Sequence, residues 1–199
     1  MLTRRTVLTA AATGAGGVGF MLALGWWRSP EPKAFDLLPL PLSEMDFTLT
    51  DHRGVSVTPQ DWLGRPLLAF FGFTFCPDVC PTTLNDISDW LADLGPEADR
   101  LAVALISVNP ERDTPQLLAD YVSNFDPRIT GYTGTPDQLA RTAEGFRAKF
   151  EKIPTGDGDY TMNHTAGVFL FHPDGRFGGI IDFHEDRRFA LPKIRRILG

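Results

Sequence analysis

The two cysteines of this chain, Cys76 and Cys80, stand four positions apart in the stretch FFGFTFCPDVCPTTL. A proline follows each of them, and the residue before a proline disfavours helical conformation. The pair is therefore predicted on a loop rather than on a regular helix. Pro81 suits the first position of a helix, which makes Cys80 the predicted cap residue, where the positive helix end stabilises a thiolate. The sequence thus predicts that Cys80 is an acidic thiol.

Three kinds of chemistry are open to this pair. A structural disulfide that closes a loop of about five residues would add roughly 2 kcal/mol, which is little for the only two cysteines of a chain. A thioredoxin-type redox pair is normally separated by two residues at a strand-to-helix junction, whereas three residues separate Cys76 from Cys80. The additional residue lets the sulfurs close into a disulfide or bind one metal ion at ~2.3 Å each. Spacing alone leaves the redox pair and the metal site as alternatives.

A metal site needs more donors than these two thiolates, because a tetrahedral zinc site takes four ligands and the chain has no other cysteine. Two thiolates and one imidazole suit copper, since soft thiolates select Cu(I) and imidazole accepts either oxidation state. Three of the four histidines have simpler explanations: His52 in a hairpin turn, His172 in the turn HPDG and His184 in the acidic stretch DFHED. His164, between a polar loop and an apolar strand, is either a ligand or a hydrogen-bonded loop residue.

The N-terminus has the composition of an export or membrane signal. Residues Thr6 to Trp27 are uncharged and, as a helix, would extend about 33 Å, enough to cross a bilayer. The sequence TRRTVL resembles a loose twin-arginine signal, and Ala23-Leu24-Gly25 fits a small-x-small cleavage site. Trp26-Trp27-Arg28 instead resembles an interfacial belt, which favours a retained anchor at 1–27. The domain is then expected on the periplasmic face of the inner membrane, or as an exported soluble form after cleavage.

The segment after this signal is predicted to be a linker. Residues 28–46 contain four prolines and no clear period, which indicates a stiff, extended spacer before a folded domain at 47–199. The first 28 residues hold three of the 19 basic side chains and none of the 25 acidic ones, which leaves a net charge of −9 for the rest. Such a surface disfavours nucleic acid as a partner.

The remaining pattern predicts an α/β domain. Apolar runs predict strands at 47–50, 55–57, 67–73, 101–108, 165–171 and 177–183, the first two forming an N-terminal hairpin. Helices are predicted near 84–94, after Thr114-Pro115, after Thr135-Pro136 and near 191–198. The polar stretch EKIPTGDGDYTMNH at 151–164 is predicted to be a long loop. This order of elements indicates a thioredoxin-like three-layer sandwich with a central mixed sheet.

Several residues near the cysteines have structural explanations. Asp113 is expected to support the start of the helix that follows it. Phe71, Phe73 and Phe75 are expected to pack within a strand, and Phe75 is also a candidate cover for the cysteine site. An apolar cover would slow the oxidation of bound Cu(I).

Four segments taken together resemble the Sco/SenC family: FFGFTFCPDVCPTTL, SVNPERDTP at 107–115, GYTGTPDQL at 131–139 and NHTAGVFLFHPDG at 163–175. They occur in the family's order over about residues 45–198. The resemblance implies a thioredoxin-like fold, tethering to the membrane, and one copper ion bound by Cys76, Cys80 and His164. It also implies a metallochaperone rather than an enzyme. Such a protein receives copper from a donor protein and delivers it to the binuclear copper centre of cytochrome c oxidase subunit 2.

Two positions depart from the family's pattern. The family usually has Asp where Asn109 stands, and an acid where Asn163 precedes the histidine. The three ligands are retained, but the missing carboxylates are expected to change ligand orientation and the preference for Cu(II). The alternative function is a thiol-disulfide reductase that keeps the recipient's cysteines reduced through Cys76 and Cys80. A peroxidase would rest on fold analogy alone.

Overall fold

The structure is a computed structural model that describes residues 38–156 and 158–199. The predicted anchor or signal at 1–27 and the first part of the predicted linker lie outside the described residues. Within the part of the chain that is described, no helix combines the length and the apolar composition needed to cross a bilayer.

The described residues form nine strands: β1 (Leu49–Asp51), β2 (Ser56–Val57), β3 (Leu67–Gly72), β4 (Ala102–Ser107), β5 (Ile129–Thr133), β6 (Phe150–Pro154), β7 (Tyr160–His164), β8 (Val168–Phe171) and β9 (Phe177–Ile181). Seven of them make one sheet in the order β2-β1-β5-β4-β3-β8-β9, while β6 and β7 pair with each other. In the large sheet β3, β4 and β5 run parallel, and the flanking pairs are antiparallel. The predicted mixed sheet and N-terminal hairpin are confirmed.

Four α-helices in the described part of the chain accompany the sheet: α1 (Val79–Leu94), α2 (Pro115–Val122), α3 (Pro136–Phe146) and α4 (Arg187–Leu198). A Cβ on Gly72 of β3 would lie 3.1 Å from the Cys80 sulfur of α1. The ring of Phe71, the preceding residue of β3, packs 5.3 Å from the ring of Phe146 in α3. Neighbouring strand residues face opposite sides, so α1 and α3 cover opposite faces of the sheet. The predicted thioredoxin-like sandwich is confirmed.

Local sequence explains where the predicted helices begin. The hydroxyl oxygen of Thr114 accepts a hydrogen bond from the Leu117 amide at 3.2 Å, which caps α2. Thr135 caps α3 in the same way, accepting from the Gln138 amide at 3.3 Å. In both helices a proline occupies the first helical position. An N–H group at this position would have no acceptor within the helix, so proline costs no hydrogen bond there.

Strand β5 was not among the predicted elements. It has five residues, and Gly131 at its centre supplies no side chain to an apolar pattern. The structural reason for this glycine is close packing, because a Cβ there would lie 3.1 Å from the Cβ of Leu118 in α2. A strand whose central residue is selected by helix packing gives little strand signal in sequence.

The predicted long loop at 151–164 is wrong, because this stretch forms the hairpin of β6 and β7. Every described residue of β6 after Phe150 is exposed, and β7 is at most half-buried. Strands that bury neither face need no apolar alternation, so their composition resembles that of a loop. Positive φ angles at Gly156 (89°) and Gly158 (84°) permit the turn between them.

The folded unit includes residues before the predicted boundary at 47. Leu42 is fully buried and Met45 is 5% exposed, and both belong to the hydrophobic core. The Leu40 amide donates to the Gly145 carbonyl and the Leu42 amide to the Gly175 carbonyl, each at 2.9 Å. Prolines at 39 and 41 therefore accompany an extended segment that packs on the domain, rather than a free spacer.

Replacing Leu42 by alanine is expected to lower the free energy of unfolding by roughly 2–4 kcal/mol, because it removes a fully buried side chain and leaves a cavity. The matched control is Leu38→Ala, at a side chain that is 43% exposed. The control is expected to change stability by no more than about 0.5 kcal/mol. Urea denaturation measures both, and equal losses would contradict the packing of this segment.

Candidate metal centre

The cysteines lie at the carboxyl end of β3, where the chain turns into α1. The helix begins at Val79 with Asp78 as its cap, so Cys80 is already inside the first turn. The predicted position of Cys80 at the cap is therefore wrong. Pro81 is accommodated in this turn because the first four N–H groups of a helix have no intrahelical acceptor.

The acidic thiol is Cys76 and not Cys80, which corrects the prediction from sequence. Hydrogen bonding to the Cys80 side chain, and secondarily to His164, lowers the pKa of Cys76 to about 4. The Cys76 sulfur also accepts from the Cys80 amide at 3.3 Å. Cys80 is fully buried, and its hydrogen bond to Cys76 together with burial raises the pKa of its thiol. Burial and the neighbouring sulfur outweigh the helix end, whose effect is small by comparison.

His164 reaches the cysteines from the last position of β7. Its Nε2 lies 3.5 Å from the Cys80 sulfur, and its Nδ1 lies 3.0 Å from the carbonyl oxygen of Thr165. A carbonyl only accepts, so Nδ1 donates to Thr165, and Nε2 is the ring nitrogen that faces the sulfurs. The rings of Phe70 and Phe73 meet the imidazole edge to face at 5.9 and 5.8 Å, which limits its rotation.

The structure thus brings together all three residues that were predicted as ligands. The ligand atoms of Cys76, Cys80 and His164 lie within 4.8 Å of one another, and they form the one such group of His, Cys, Asp and Glu side chains among the described residues. Two sulfurs and one imidazole nitrogen are a soft donor set, which fits copper better than a hard cation. Three donors also leave room for a further ligand.

The other three histidines lie elsewhere. His52 accepts a hydrogen bond from the Gly131 amide at 3.0 Å, which gives this turn residue a structural partner that was not predicted. The His172 carbonyl accepts from the Gly175 amide within the predicted turn. His184 pairs with Asp86 at 3.1 Å, and its side chain is 70% exposed.

Asp113 has a different role from the predicted support of a helix start, because Thr114 caps that helix. Its carboxylate is fully buried and accepts hydrogen bonds of 2.6 Å from the hydroxyls of Thr74 and Ser107. Burial raises the pKa of this carboxyl group. No sequence pattern indicates this role, because Thr74 is 39 residues and Ser107 six residues away from Asp113 in the chain, and neither belongs to α2.

The two asparagines that were expected to depart from the family pattern differ in surroundings. Asn109 is 2% exposed; its Oδ1 accepts from the Tyr160 hydroxyl at 2.9 Å, while its Nδ2 has no partner among the described residues. Asn163 is exposed and its Nδ2 lies 3.4 Å from Glu151. The predicted strand packing of Phe71 and Phe73 agrees with their burial, whereas that of Phe75 is wrong, because Phe75 lies beyond the end of β3 and is 58% exposed.

Comparison with known proteins agrees with this geometry. A sequence profile of the family described as SCO1/SenC matches residues 39–199. The chain belongs to the SCO1/SenC family. A relative in this family, the mitochondrial protein SCO2 homolog of Bos taurus, is 35% identical over 193 residues, which cover 94% of this chain and 71% of the bovine protein.

Solved SCO1/SenC structures share the fold, and some of them contain copper. Bradyrhizobium japonicum ScoI with copper bound is 44% identical, with a TM-score of 0.71 over 76% of this chain and 96% of that chain. Yeast Sco1 with copper bound is 31% identical, with a TM-score of 0.71 over 80% of this chain and 87% of that chain.

Iodoacetamide is expected to alkylate Cys76 nearly as fast at pH 6 as at pH 8, because a pKa of about 4 keeps this thiol ionised throughout that range. The rate should fall only as the pH approaches 4 from above, where the thiolate takes up its proton. Fully buried Cys80 should react far more slowly. Fragmentation mass spectrometry of the shared peptide measures both sites, and Cys76→Ser reports the residual reactivity of Cys80. A rate at Cys76 that rises steeply between pH 6 and pH 8 would contradict the assignment.

Proposed function

We propose that this protein is a copper carrier of cytochrome c oxidase assembly, in which Cys76, Cys80 and His164 hold one copper ion. The observation that carries the proposal is the convergence of these three donors within 4.8 Å, in a fold shared with copper-bound Sco proteins. Thiolate–imidazole ligation accepts both Cu(I) and Cu(II), so the ion is cargo in either oxidation state.

Unequal exposure of the ligands suits transfer by stepwise ligand exchange. Cys80 is fully buried, whereas Cys76 and His164 are partly accessible. An incoming thiolate of a partner can therefore occupy the open coordination position and then replace Cys76 before the buried sulfur releases the ion. Binding requires reduced, deprotonated cysteines, so the redox state of the pair would control loading.

The partners follow from the same proposal. The recipient is the binuclear copper centre of cytochrome c oxidase subunit 2, and a separate donor protein supplies the ion. Residues 1–27 act as an inner-membrane anchor that keeps the domain on the periplasmic side, with a cleaved, exported form as the alternative. The uncharged stretch after Arg4-Arg5 and the Trp26-Trp27-Arg28 belt support the anchor.

A second candidate function is reduction of the recipient's disulfide. The observation that favours it is the pairing of an accessible thiolate, Cys76, with a protected thiol four residues later. The Cys76 thiolate would attack the partner's disulfide and form a mixed disulfide, with one partner cysteine leaving as a thiolate. Cys80, after losing its proton, would attack Cys76, so that the partner leaves as a dithiol and Cys76–Cys80 becomes the disulfide. A dithiol reductant must then restore the pair.

Copper binding is tested by anaerobic Cu(I) titration of the reduced, full-length protein in detergent against a competing chelator. One equivalent is expected to bind. His164→Ala and Cys80→Ser should each lower the Cu(I) affinity by more than about 100-fold. Loss of a residue that only orients a ligand costs at most about 100-fold, and each of these variants removes a ligand itself. The matched control is His184→Ala, which removes an exposed imidazole paired with Asp86 and should leave affinity unchanged. Absence of competitive binding by the unmodified protein would contradict the carrier function.

The two candidate functions differ in whether they require the His164 side chain. Reduction of a disulfide-linked peptide from the recipient site needs both cysteines but no imidazole ligand. His164→Ala should therefore lose copper binding and retain disulfide reduction, although loss of its hydrogen bond makes Cys76 a less acidic thiol. A parallel loss of both activities would contradict separate roles, and Cys76→Ser controls for uncatalysed exchange.

A further inference from the structure

The position of His164 depends on a hairpin that lies outside the main sheet. Strands β6 and β7 pair with each other and, among the described residues, with no strand of the seven-stranded sheet. At the base of the hairpin, the Lys149 amide donates to the Thr165 hydroxyl and the Thr165 amide to the Lys149 carbonyl, each at 2.9 Å. A two-stranded hairpin is only marginally stable by itself, so other contacts must fix it in place.

Phe150 and Met162 pack against the hydrophobic core, and residues 109–112 supply polar and ionic contacts to the hairpin. The Tyr160 ring contacts two cations, with the Arg112 guanidinium and the Lys152 ammonium each 3.7 Å from its centroid. Arg112 also donates to the Tyr160 carbonyl at 3.2 Å and forms an ion pair with Asp159. Glu111 pairs with Lys152 at 2.7 Å. One short segment thus contacts the hairpin at Lys152 in β6, at Tyr160 in β7 and at Asp159 in the turn between them.

The same segment also holds the cysteine loop. One carboxylate oxygen of Asp113 accepts a hydrogen bond of 2.6 Å from the hydroxyl of Thr74, which is two residues before Cys76 in the chain. The other oxygen accepts from the hydroxyl of Ser107 at the end of β4. The Arg112 guanidinium lies 5.5 Å from the ring centroid of Phe75, directly before Cys76. Consecutive residues therefore contact the two chain segments that carry the candidate ligands.

We propose that residues 109–113 form a brace that sets the distance between His164 and the two cysteines. Arg112 is the positioning residue on the hairpin side, and Asp113 is the positioning residue on the cysteine side. The inference rests on the proposed copper site for its functional consequence, but the brace itself is a statement about the apoprotein. Arg112 suits this role because its side chain is only 24% exposed, so solvent screens its contacts less than those of a surface ion pair.

Arg112→Gln is the variant that tests the hairpin side, with Arg128→Gln as its matched control. Arg128 is similarly exposed, at 29%, and bridges Asp126 and Asp99 in contacts that include none of the ligand-bearing segments. Hydrogen exchange of the full-length apoprotein should become at least about threefold faster at amides of residues 150–164 in Arg112→Gln, because local opening becomes more frequent. Arg128→Gln should leave the exchange of this hairpin unchanged. Equal exchange of the hairpin in both variants and the unmodified protein would overturn the brace.

Measurement of Cu(I) affinity distinguishes the positioning of His164 by Arg112 from a general loss of stability. Arg112→Gln should lower Cu(I) affinity about tenfold in the unmodified background but less than about twofold in a His164→Ala background, since the lost positioning acts through the imidazole. An equal loss in both backgrounds would overturn the role of Arg112. If the unmodified protein binds no Cu(I), the proposed function fails, while the hydrogen-exchange comparison still decides the brace.

Asp113→Asn tests the cysteine side, with Asp51→Asn as its control. Both carboxylates are fully buried, but Asp51 accepts from Arg53 and Val55 in the N-terminal hairpin. At pH 7, the alkylation rate of Cys76 in the apoprotein should change at least about threefold in Asp113→Asn and remain unchanged in Asp51→Asn. Thr74→Val removes the hydroxyl partner without altering the carboxylate, and it should reproduce the effect. An unchanged rate in both Asp113→Asn and Thr74→Val would overturn this half of the brace.

Discussion

The contact between the Cys80 sulfur and the His164 ring joins chain segments 84 residues apart, and the candidate centre depends on it. The two side chains come from different kinds of support. Cys80 stands on a helix that packs against the central strand β3, which is buried along its whole length. His164 stands on a hairpin whose exposed strands lie outside the main sheet. The centre therefore combines one side fixed by the buried sheet with one whose strands are held by polar and ionic contacts and by the packing of Phe150 and Met162 on the core.

The central elements could be predicted because their residues satisfy local and tertiary demands at once. Continuous apolar runs at 67–73 and 101–108 gave β3 and β4, and Thr-Pro pairs located the starts of α2 and α3. The hairpin at 150–164 could not be predicted in this way, because a strand that buries neither face needs no apolar period. The same reason hides the brace, since Arg112 and Asp113 act on partners that only the folded chain brings near.

The acidity of the thiols shows the limit of local electrostatic reasoning. A helix N-terminus favours a thiolate, and this rule selected Cys80. In the folded protein Cys80 is buried and hydrogen-bonded to a second sulfur, and these effects raise the pKa of Cys80 while lowering that of Cys76. His164 likewise could be selected only with the family resemblance, because nothing near it in the chain indicates contact with Cys80. Both candidate functions begin from this asymmetry, since each uses Cys76 as the accessible sulfur and Cys80 as the protected one.

Gly72 makes one ligand of the centre, Cys80, less able to move than the other two. The Cys80 sulfur rests near the backbone of a fully buried strand, and a Cβ on Gly72 would lie 2.9 Å from Phe70 and 3.1 Å from that sulfur. Backbone at the centre of a sheet cannot recede, so the Cys80 sulfur has little travel in that direction. Adjustment to ions of different size or oxidation state must then come from the Cys76 loop and the His164 hairpin. Cys80 would act as the fixed point of the site, and differences between ligand states would appear as displacements of the other two side chains.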